Sequence, residues 1–117
     1  MTAMLTRTEY VTMTLEEVSQ LRAGDVDAYG GNDSVSVADS GPHLAEYYET
    51  TPRYNYRGGV CGMFWDKVQE VVDILLVSHE WPFEPLTVGG DTLYDGHHRA
   101  NAAIIANWDK PIPVEPW

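Results

Sequence analysis

The sequence predicts an α/β (α+β) fold in which a small mixed sheet packs with about three helices. Two long stretches, residues 63–79 and 95–107, carry apolar residues at helical spacing. Short runs rich in β-branched and aromatic residues lie near them, as is typical of strands. The chain has 117 residues, a length that suits one domain. We therefore expect a single domain over residues 1–117.

The chain opens with a predicted strand followed by a capped helix. Tyr10–Met13 has the β-branched and aromatic residues of a short strand. Thr14 and Glu17 then have the spacing of a capping box, in which each side chain bonds the backbone amide of the other residue. Gly24 is a suitable helix stop. The apolar stripe of this helix consists of Leu15, Val18 and Leu21.

Residues 24–62 are interpreted as an irregular insertion because they are rich in Gly, Asp, Ser and Tyr. The segment includes one β-like run, Ser34–Val37, and one helical turn, Leu44–Tyr48. Arg53 and Arg57 lie close to two tyrosines, a combination that can stack on bases or bind phosphates. We treat these two arginines as accessory contacts of a ligand site. The alternative is a surface loop with half-buried rings.

The rest of the chain alternates helices with short strands. Its first helix has an apolar face suited to burial against a sheet, and Gly89-Gly90 suits a tight hairpin. Asn107 can adopt the left-handed conformation that ends a helix. The predicted elements, in chain order, are a helix over 63–79, strands Leu86–Val88 and Thr92–Tyr94, a helix over 95–107 and a closing edge strand, Pro111–Val114.

The charge of the chain is its least ordinary property. It has 18 acidic and 7 basic side chains, a formal net charge of −11. Duplex DNA is bound by neutralising phosphates with Lys and Arg, so we expect no strong duplex DNA binding. A field this negative favours a basic protein partner, or serves solubility alone.

The sequence also indicates the expected cellular location of the protein. No stretch approaches the roughly 18 uninterrupted apolar residues that a membrane span needs. The first residues have neither a basic leader nor an apolar signal core. A single cysteine, Cys61, excludes an intramolecular disulfide. We therefore expect a cytoplasmic protein without membrane association.

One motif carries chemistry: Asp95-Gly96-His97-His98-Arg99, where a predicted strand turns into a helix. The first turn of a helix attracts anions through its backbone amides and its dipole. Gly96 permits a tight bend, and Arg99 offers a fork that matches phosphate oxygens. We take Gly96, His97, His98 and Arg99 as candidate phosphate- or nucleotide-binding residues. The alternative is structural, with Asp95 as N-cap, His97 facing solvent and Arg99 paired with a carboxylate.

From Trp65 to Val114 the chain resembles the ParB/sulfiredoxin-like superfamily, including its ParB-like nuclease domains. The shared order is an amphipathic helix, a segment such as Phe83–Val88, a hairpin, a strand reaching Asp95-Gly96, a His-Arg pair, helix alanines and a short closing strand, Ile112–Val114. The resemblance implies that Gly96, His98 and Arg99 hold a nucleotide phosphate, with ATP or CTP and magnesium as the expected cofactors. His97 occupies the position of the sulfiredoxin cysteine, so sulfiredoxin chemistry is not expected.

Two functional hypotheses follow. In the first, the chain is a phosphate- or nucleotide-binding ParB-like domain, acting in phosphoryl transfer or phosphodiester cleavage, with Asp95 as the candidate catalytic carboxylate. In the second, it is a non-enzymatic acidic accessory protein of a phage or mobile element that binds and inhibits a host protein. A resident metal site is not expected, because His43 and His79 lack ligands at metal-binding spacing.

Overall fold

Five strands and four helices are formed by residues 11–24, 26, 35–50 and 63–117, the part of the chain that the computed structural model describes. The mixed α/β class predicted from the sequence is confirmed. The strands are β1 (Val11–Met13), β2 (Arg22–Ala23), β3 (Leu86–Gly89), β4 (Thr92–Asp95) and β5 (Ile112–Pro116). The helices are α1 (Leu15–Ser19), α2 (Val37–Thr50), α3 (Met63–Leu76) and α4 (His97–Ala106).

The sheet is mixed, with the strand order β1-β5-β3-β4-β2. β5 is antiparallel to β1 and parallel to β3, and β4 is antiparallel to β3 and parallel to β2. The prediction that the closing strand lies at an edge is therefore wrong. Pro113, whose missing amide suggested an edge, pairs opposite Thr12 of the short strand β1. That partner is about 100 residues away along the chain, so no local pattern indicates it.

The elements specified by local interactions form as predicted. Both bonds of the capping box are present, from the Thr14 amide to Glu17 Oε1 (2.8 Å) and from the Glu17 amide to Thr14 Oγ1 (3.1 Å). The β3–β4 hairpin turns through Gly90 at φ +59°, and Asn107 ends α4 in the left-handed conformation. The sequence alone therefore locates these three helix and turn boundaries.

The N-terminal helix is shorter than its apolar stripe suggested. α1 ends at Ser19, and the chain then enters β2, a strand that the sequence did not predict. β2 runs parallel to β4, pairing Arg22 with Thr92 and Ala23 with Leu93. Arg22 and Ala23, which the sequence placed at the end of the helix before Gly24, therefore belong to a strand of the sheet.

A 14-residue helix, α2, occupies much of the segment interpreted as irregular, where only one helical turn was expected. This helix is hard to predict from the sequence because Gly41 and Pro42 lie inside it and one of its buried positions is occupied by Ser40. Its buried residues nonetheless recur at helical spacing: Val37, Ser40, Gly41, Leu44 and Ala45.

The core lies between the helices and one face of the sheet. Its largest fully buried side chains include Phe64, Leu44, Leu75, Leu86, Leu93 and Ile112. The apolar face predicted for α3 is buried, but Leu76 remains 65% exposed. In α4, Ala102 and Ala103 are fully buried, whereas the apolar residue Ile105 is 54% exposed. α3 and α4 pack closely against each other, and one face of α3 lies opposite the N-terminal turn of α4.

Several sequence predictions concern residues outside the described ranges. They include the strand residue Tyr10 and the accessory contacts Arg53 and Arg57. Of the helices in the described ranges, none has the length and apolar character needed to cross a membrane.

Candidate functional site

The predicted motif lies at the junction of β4 and α4. Asp95 is the last residue of β4, Gly96 is the N-cap of α4, and His97 begins the helix. Gly96 has φ +104°, a conformation that L side chains rarely adopt. A Cβ on it would also lie only 2.5 Å from Leu86 Cδ2. Backbone conformation and packing against β3 thus both require glycine here.

The first turn of α4 has no side-chain cap. The interpretation of Asp95 as N-cap is therefore wrong. The Asp95 side chain is 78% exposed, and its Oδ2 lies 3.7 Å from Arg99 Nη2. A helix start that no carboxylate caps keeps the electrostatic preference of its amides for an anion.

Part of the Arg99 guanidinium is hydrogen-bonded to the loop before β3. Its Nη1 donates to the carbonyl oxygens of Glu84 (2.7 Å) and Pro85 (3.4 Å), ahead of β3. Its guanidinium also lies close to Gly96, since Nη2 would be 3.2 Å from a Cβ at that position. The expected pairing with a carboxylate is present as the Asp95 contact. Arg99 thus contributes positive charge to the motif while connecting the helix start to the loop before β3.

The two histidines of the motif differ in environment. His97 is buried, with 4% of its surface exposed, so the alternative in which it faces solvent is wrong. The His98 ring lies against Phe64 of α3, with the ring centroids 4.7 Å apart. The pKa of His98 is lowered to about 4, chiefly by burial and then by the neighbouring charges of Lys67, His97 and Arg99. His98 is therefore uncharged at neutral pH.

A buried polar network supports the start of α4 from behind. Asn101 Nδ2 donates to the carbonyl oxygen of His97 (2.9 Å) and to Ser40 Oγ of α2 (3.2 Å). Ser40 Oγ in turn donates to the carbonyl oxygen of Val37 (2.8 Å). Because these groups are buried, their hydrogen bonds constrain the position of α2 relative to the first turn of α4.

The motif opens onto a cavity of about 450 Å³ between α3 and the start of α4. Asp95, Gly96, His97, His98 and Arg99 all line it, so the structure brings the predicted motif residues to one site. The opposite wall is one face of α3 together with Phe83; the α3 residues are Lys67, Glu70, Val71 and Ile74.

Lys67 and Glu70 were not predicted as site residues. With Val71 and Ile74 they follow the i, i+3, i+4, i+7 spacing of one helix face, and this is the only signal that the sequence offers. The spacing shows that these side chains lie together but not which part of the fold they face. Packing of α3 against α4 places them opposite the motif.

The site combines both signs of charge. Lys67 and Arg99 supply positive charge, and Glu70 and Asp95 supply carboxylate oxygens on the same cavity. Within the described residues, no three His, Cys, Asp or Glu side chains are grouped so that they could hold a metal ion. Two carboxylates are the number that Mg²⁺ commonly takes from a protein when phosphate oxygens and water complete its coordination.

The chain belongs to the family described as Mycobacterium phage L5 gene 81 protein, whose model matches residues 1–117. The gene 81 protein of Mycobacterium phage L5 is 66% identical to it over 107 residues, covering 90% of this chain and 96% of that protein. No solved structure matches the chain significantly.

These matches correct the resemblance inferred from the C-terminal half. The family match covers the whole chain and is to a phage protein family, not to the ParB/sulfiredoxin-like superfamily. The motif order that suggested the superfamily consists of a helix, a hairpin and a glycine-led helix start, and local physical chemistry can produce that combination in unrelated chains. The family name refers to a gene and not to an activity, so function has to be argued from the site.

Proposed function

We propose that this phage protein binds a phosphate group, free or as part of a nucleotide, in the cavity between α3 and the start of α4. The observation that carries the proposal is the helix start without a side-chain cap, facing a cavity whose walls hold Lys67 and Arg99. Helix N-termini attract anions through their amides and dipole. Two nearby cations strengthen that preference.

Each residue then has a distinct role. The backbone amides after Gly96 donate hydrogen bonds to the anion, and the exposed ammonium of Lys67 approaches it from α3. Arg99 adds charge while it holds the loop at Glu84. His98, uncharged because its pKa is about 4, contributes a hydrogen bond rather than charge.

The polyphosphate of a nucleotide such as ATP or CTP, carrying magnesium, is the larger ligand that we propose for this cavity. Glu70 and Asp95 offer the hard oxygen donors that Mg²⁺ takes alongside phosphate oxygens. If the bound group reacts, the chemistry would be phosphoryl transfer or phosphodiester cleavage. Asp95, exposed at the cavity, would then take the proton of the attacking water or hydroxyl group, and Glu70 would be the carboxylate that holds the magnesium.

Calorimetric titration with inorganic phosphate, pyrophosphate, ATP and CTP, each with and without magnesium, tests this proposal. We expect Lys67→Ala to weaken binding of the tightest ligand about tenfold, because a charge-assisted hydrogen bond contributes about 1.4 kcal/mol or more. Lys67 is exposed, so this substitution should leave the melting temperature nearly unchanged.

The matched control is Lys110→Ala, which removes the same charge at a lysine paired with Asp109, outside the cavity. Arg99→Ala is a less specific probe, because it also releases the loop at Glu84 and Pro85. Absence of binding for all four ligands, or equal weakening by the Lys67 and Lys110 substitutions, would refute the proposal.

A second candidate function is binding of a basic host protein by a phage accessory protein. The net charge of −11 favours it, because complementary charge speeds encounter with basic surfaces and discriminates against acidic ones. This candidate does not use the phosphate cavity, so the two functions are separable by mutation.

A further inference from the structure

Two aromatic rings form an ordered stack near the ends of β4 and β5. The rings of Tyr94 and Trp117 are 4.5 Å apart between centroids and inclined by 22°. Gly89 of β3 lies beneath them, and a Cβ there would come within 2.9 Å of Tyr94 Cε2 and 3.3 Å of Trp117 Cβ. The Trp117 amide donates to the Val88 carbonyl oxygen at 3.2 Å, extending the β5–β3 pairing. The stack is therefore fixed to the sheet by its backbone and by the absence of a side chain beneath it.

One face of the Trp117 indole remains open. Trp117 is 77% exposed although Tyr94 covers one side of its ring, and Tyr94 itself is 39% exposed. An exposed aromatic face attracts a cation through the negative potential above the ring, and indole does so most strongly. The stack thus offers a cation one well-placed surface.

One carboxylate lies on the same strand face as Trp117, and a second is exposed in the adjoining turn. Glu115 is two residues before Trp117 and therefore on the same face of β5, about 7 Å away along the strand. Thr87 Oγ1 donates to Glu115 Oε2 at 3.5 Å and orients the carboxylate. Asp91, in the β3–β4 turn, is exposed three residues before Tyr94. Together with the net charge of −11, these groups favour a positively charged occupant.

We propose that Tyr94, Trp117 and Glu115 form a docking surface for an arginine-containing segment of a basic partner protein. A guanidinium can lie flat on the indole while its edge donates to the Glu115 carboxylate. A lysine ammonium, a compact point charge, cannot make both contacts equally well. The inference rests on the second candidate function and not on phosphate binding, because none of these three residues lines the phosphate cavity.

Fluorescence anisotropy with labelled octa-arginine and octa-lysine peptides tests the surface on the full chain. We expect octa-arginine to bind more tightly than octa-lysine. Trp117→Ala should weaken octa-arginine binding about twofold to fivefold, the usual size of an exposed cation–π contact, and should abolish the preference for arginine. Glu115→Gln should weaken binding to a similar extent, whereas Glu80→Gln, the same charge change at an exposed residue after α3, should not.

The outcomes separate the surface from the candidate function. If neither peptide binds wild type, both are overturned. If the peptides bind, but Trp117→Ala has no effect and the Glu115 and Glu80 substitutions weaken binding equally, the proposed surface is wrong. Binding would then depend only on the net negative charge of the chain. Self-association in sedimentation experiments that Trp117→Ala abolishes would assign the surface to a second copy of the chain and overturn the basic partner. If Trp117→Ala lowers the melting temperature, octa-arginine binding is compared instead for Glu115→Gln and for Trp117→Phe, which keeps an aromatic face.

Discussion

Gly96 and Arg99 have structural roles in addition to the binding roles that we propose for them. The glycine adopts φ +104° and leaves no room for a Cβ beside Leu86. The arginine packs over it and donates to the loop at Glu84. Neither residue type is explained by ligand binding alone, because each has a structural requirement that the folded chain itself imposes. A loss of binding on mutation of either residue therefore needs a separate measurement of stability.

His98 makes the stability of the protein depend on pH in a defined window. Its pKa is lowered from 6.5 to about 4 in the folded chain, chiefly by burial. Above pH 6.5 the ring is uncharged in both the folded and unfolded states, so its contribution to stability is complete. As the pH falls from 6.5 toward 4, the unfolded chain takes up the proton first, and the free energy of unfolding decreases.

We expect His98→Gln to remove this dependence. The full pKa shift corresponds to about 3 kcal/mol, and solvent screening of the partly exposed ring reduces that to about 1–2 kcal/mol. Between pH 7 and pH 4.5 the variant should therefore lose about 1–2 kcal/mol less unfolding free energy than wild type, as measured by urea denaturation at each pH. His79→Gln, at an exposed histidine, is the control. If the pH dependence of His98→Gln and wild type coincides, the environment assigned to His98 is wrong.

At the scale of elements, α1 depends on its cap more than on its length. It has five residues, too few for an isolated helix to persist in water. The capping box joins Thr14 and Glu17 in both directions, and Val18 is completely buried in the core. Cap and core contact together stabilise a helix that intrinsic propensity alone would not.

Thr14→Ala should lower the free energy of unfolding by about 1 kcal/mol, the usual cost of losing a threonine N-cap. Thr12→Ala, at an exposed position two residues earlier, provides a matched control that leaves the cap intact. Guanidinium denaturation followed by circular dichroism measures both. If the two substitutions lower the free energy of unfolding equally, the capping hydrogen bond of Thr14 adds no stability beyond that of an ordinary exposed threonine.

For the molecule as a whole, net charge limits the kind of partner. With a formal charge of −11, the chain repels the phosphate backbone of nucleic acid, although we propose that one local site binds a phosphate group. Binding to duplex DNA requires several clustered Lys or Arg contacts. Long-range repulsion should therefore prevail for an extended polyanion, while a small anion can still enter the cavity.

We expect a labelled DNA duplex to bind more weakly than about 10 μM near physiological salt, because the counterion-release contribution is small. Anisotropy titration at two salt concentrations measures this, and circular dichroism of the same preparation confirms that the protein is folded. Submicromolar binding that weakens steeply with added salt would contradict the prediction and favour a nuclease activity for the site.

Local patterns in the sequence determined the fold class, the capping box of α1, the β3–β4 hairpin, the helices α3 and α4 and the left-handed end at Asn107. They also identified the motif Asp95–Arg99 at a helix start. Each of these depends on residues within a few positions of one another, where spacing and backbone preference act directly. A resemblance in motif order was a less reliable guide, because the same local elements recur in unrelated families.

Only the tertiary structure decided the inner position of β5, the pairing of β2 with β4, the length of α2 and the Lys67–Glu70 wall of the cavity. It likewise decided that His98 lies against Phe64 and is uncharged at neutral pH. These features join residues far apart in the chain, and contacts of that kind form because burial and strand pairing stabilise the whole arrangement at once. A single sequence specifies those contacts collectively, and no short segment of it reveals them.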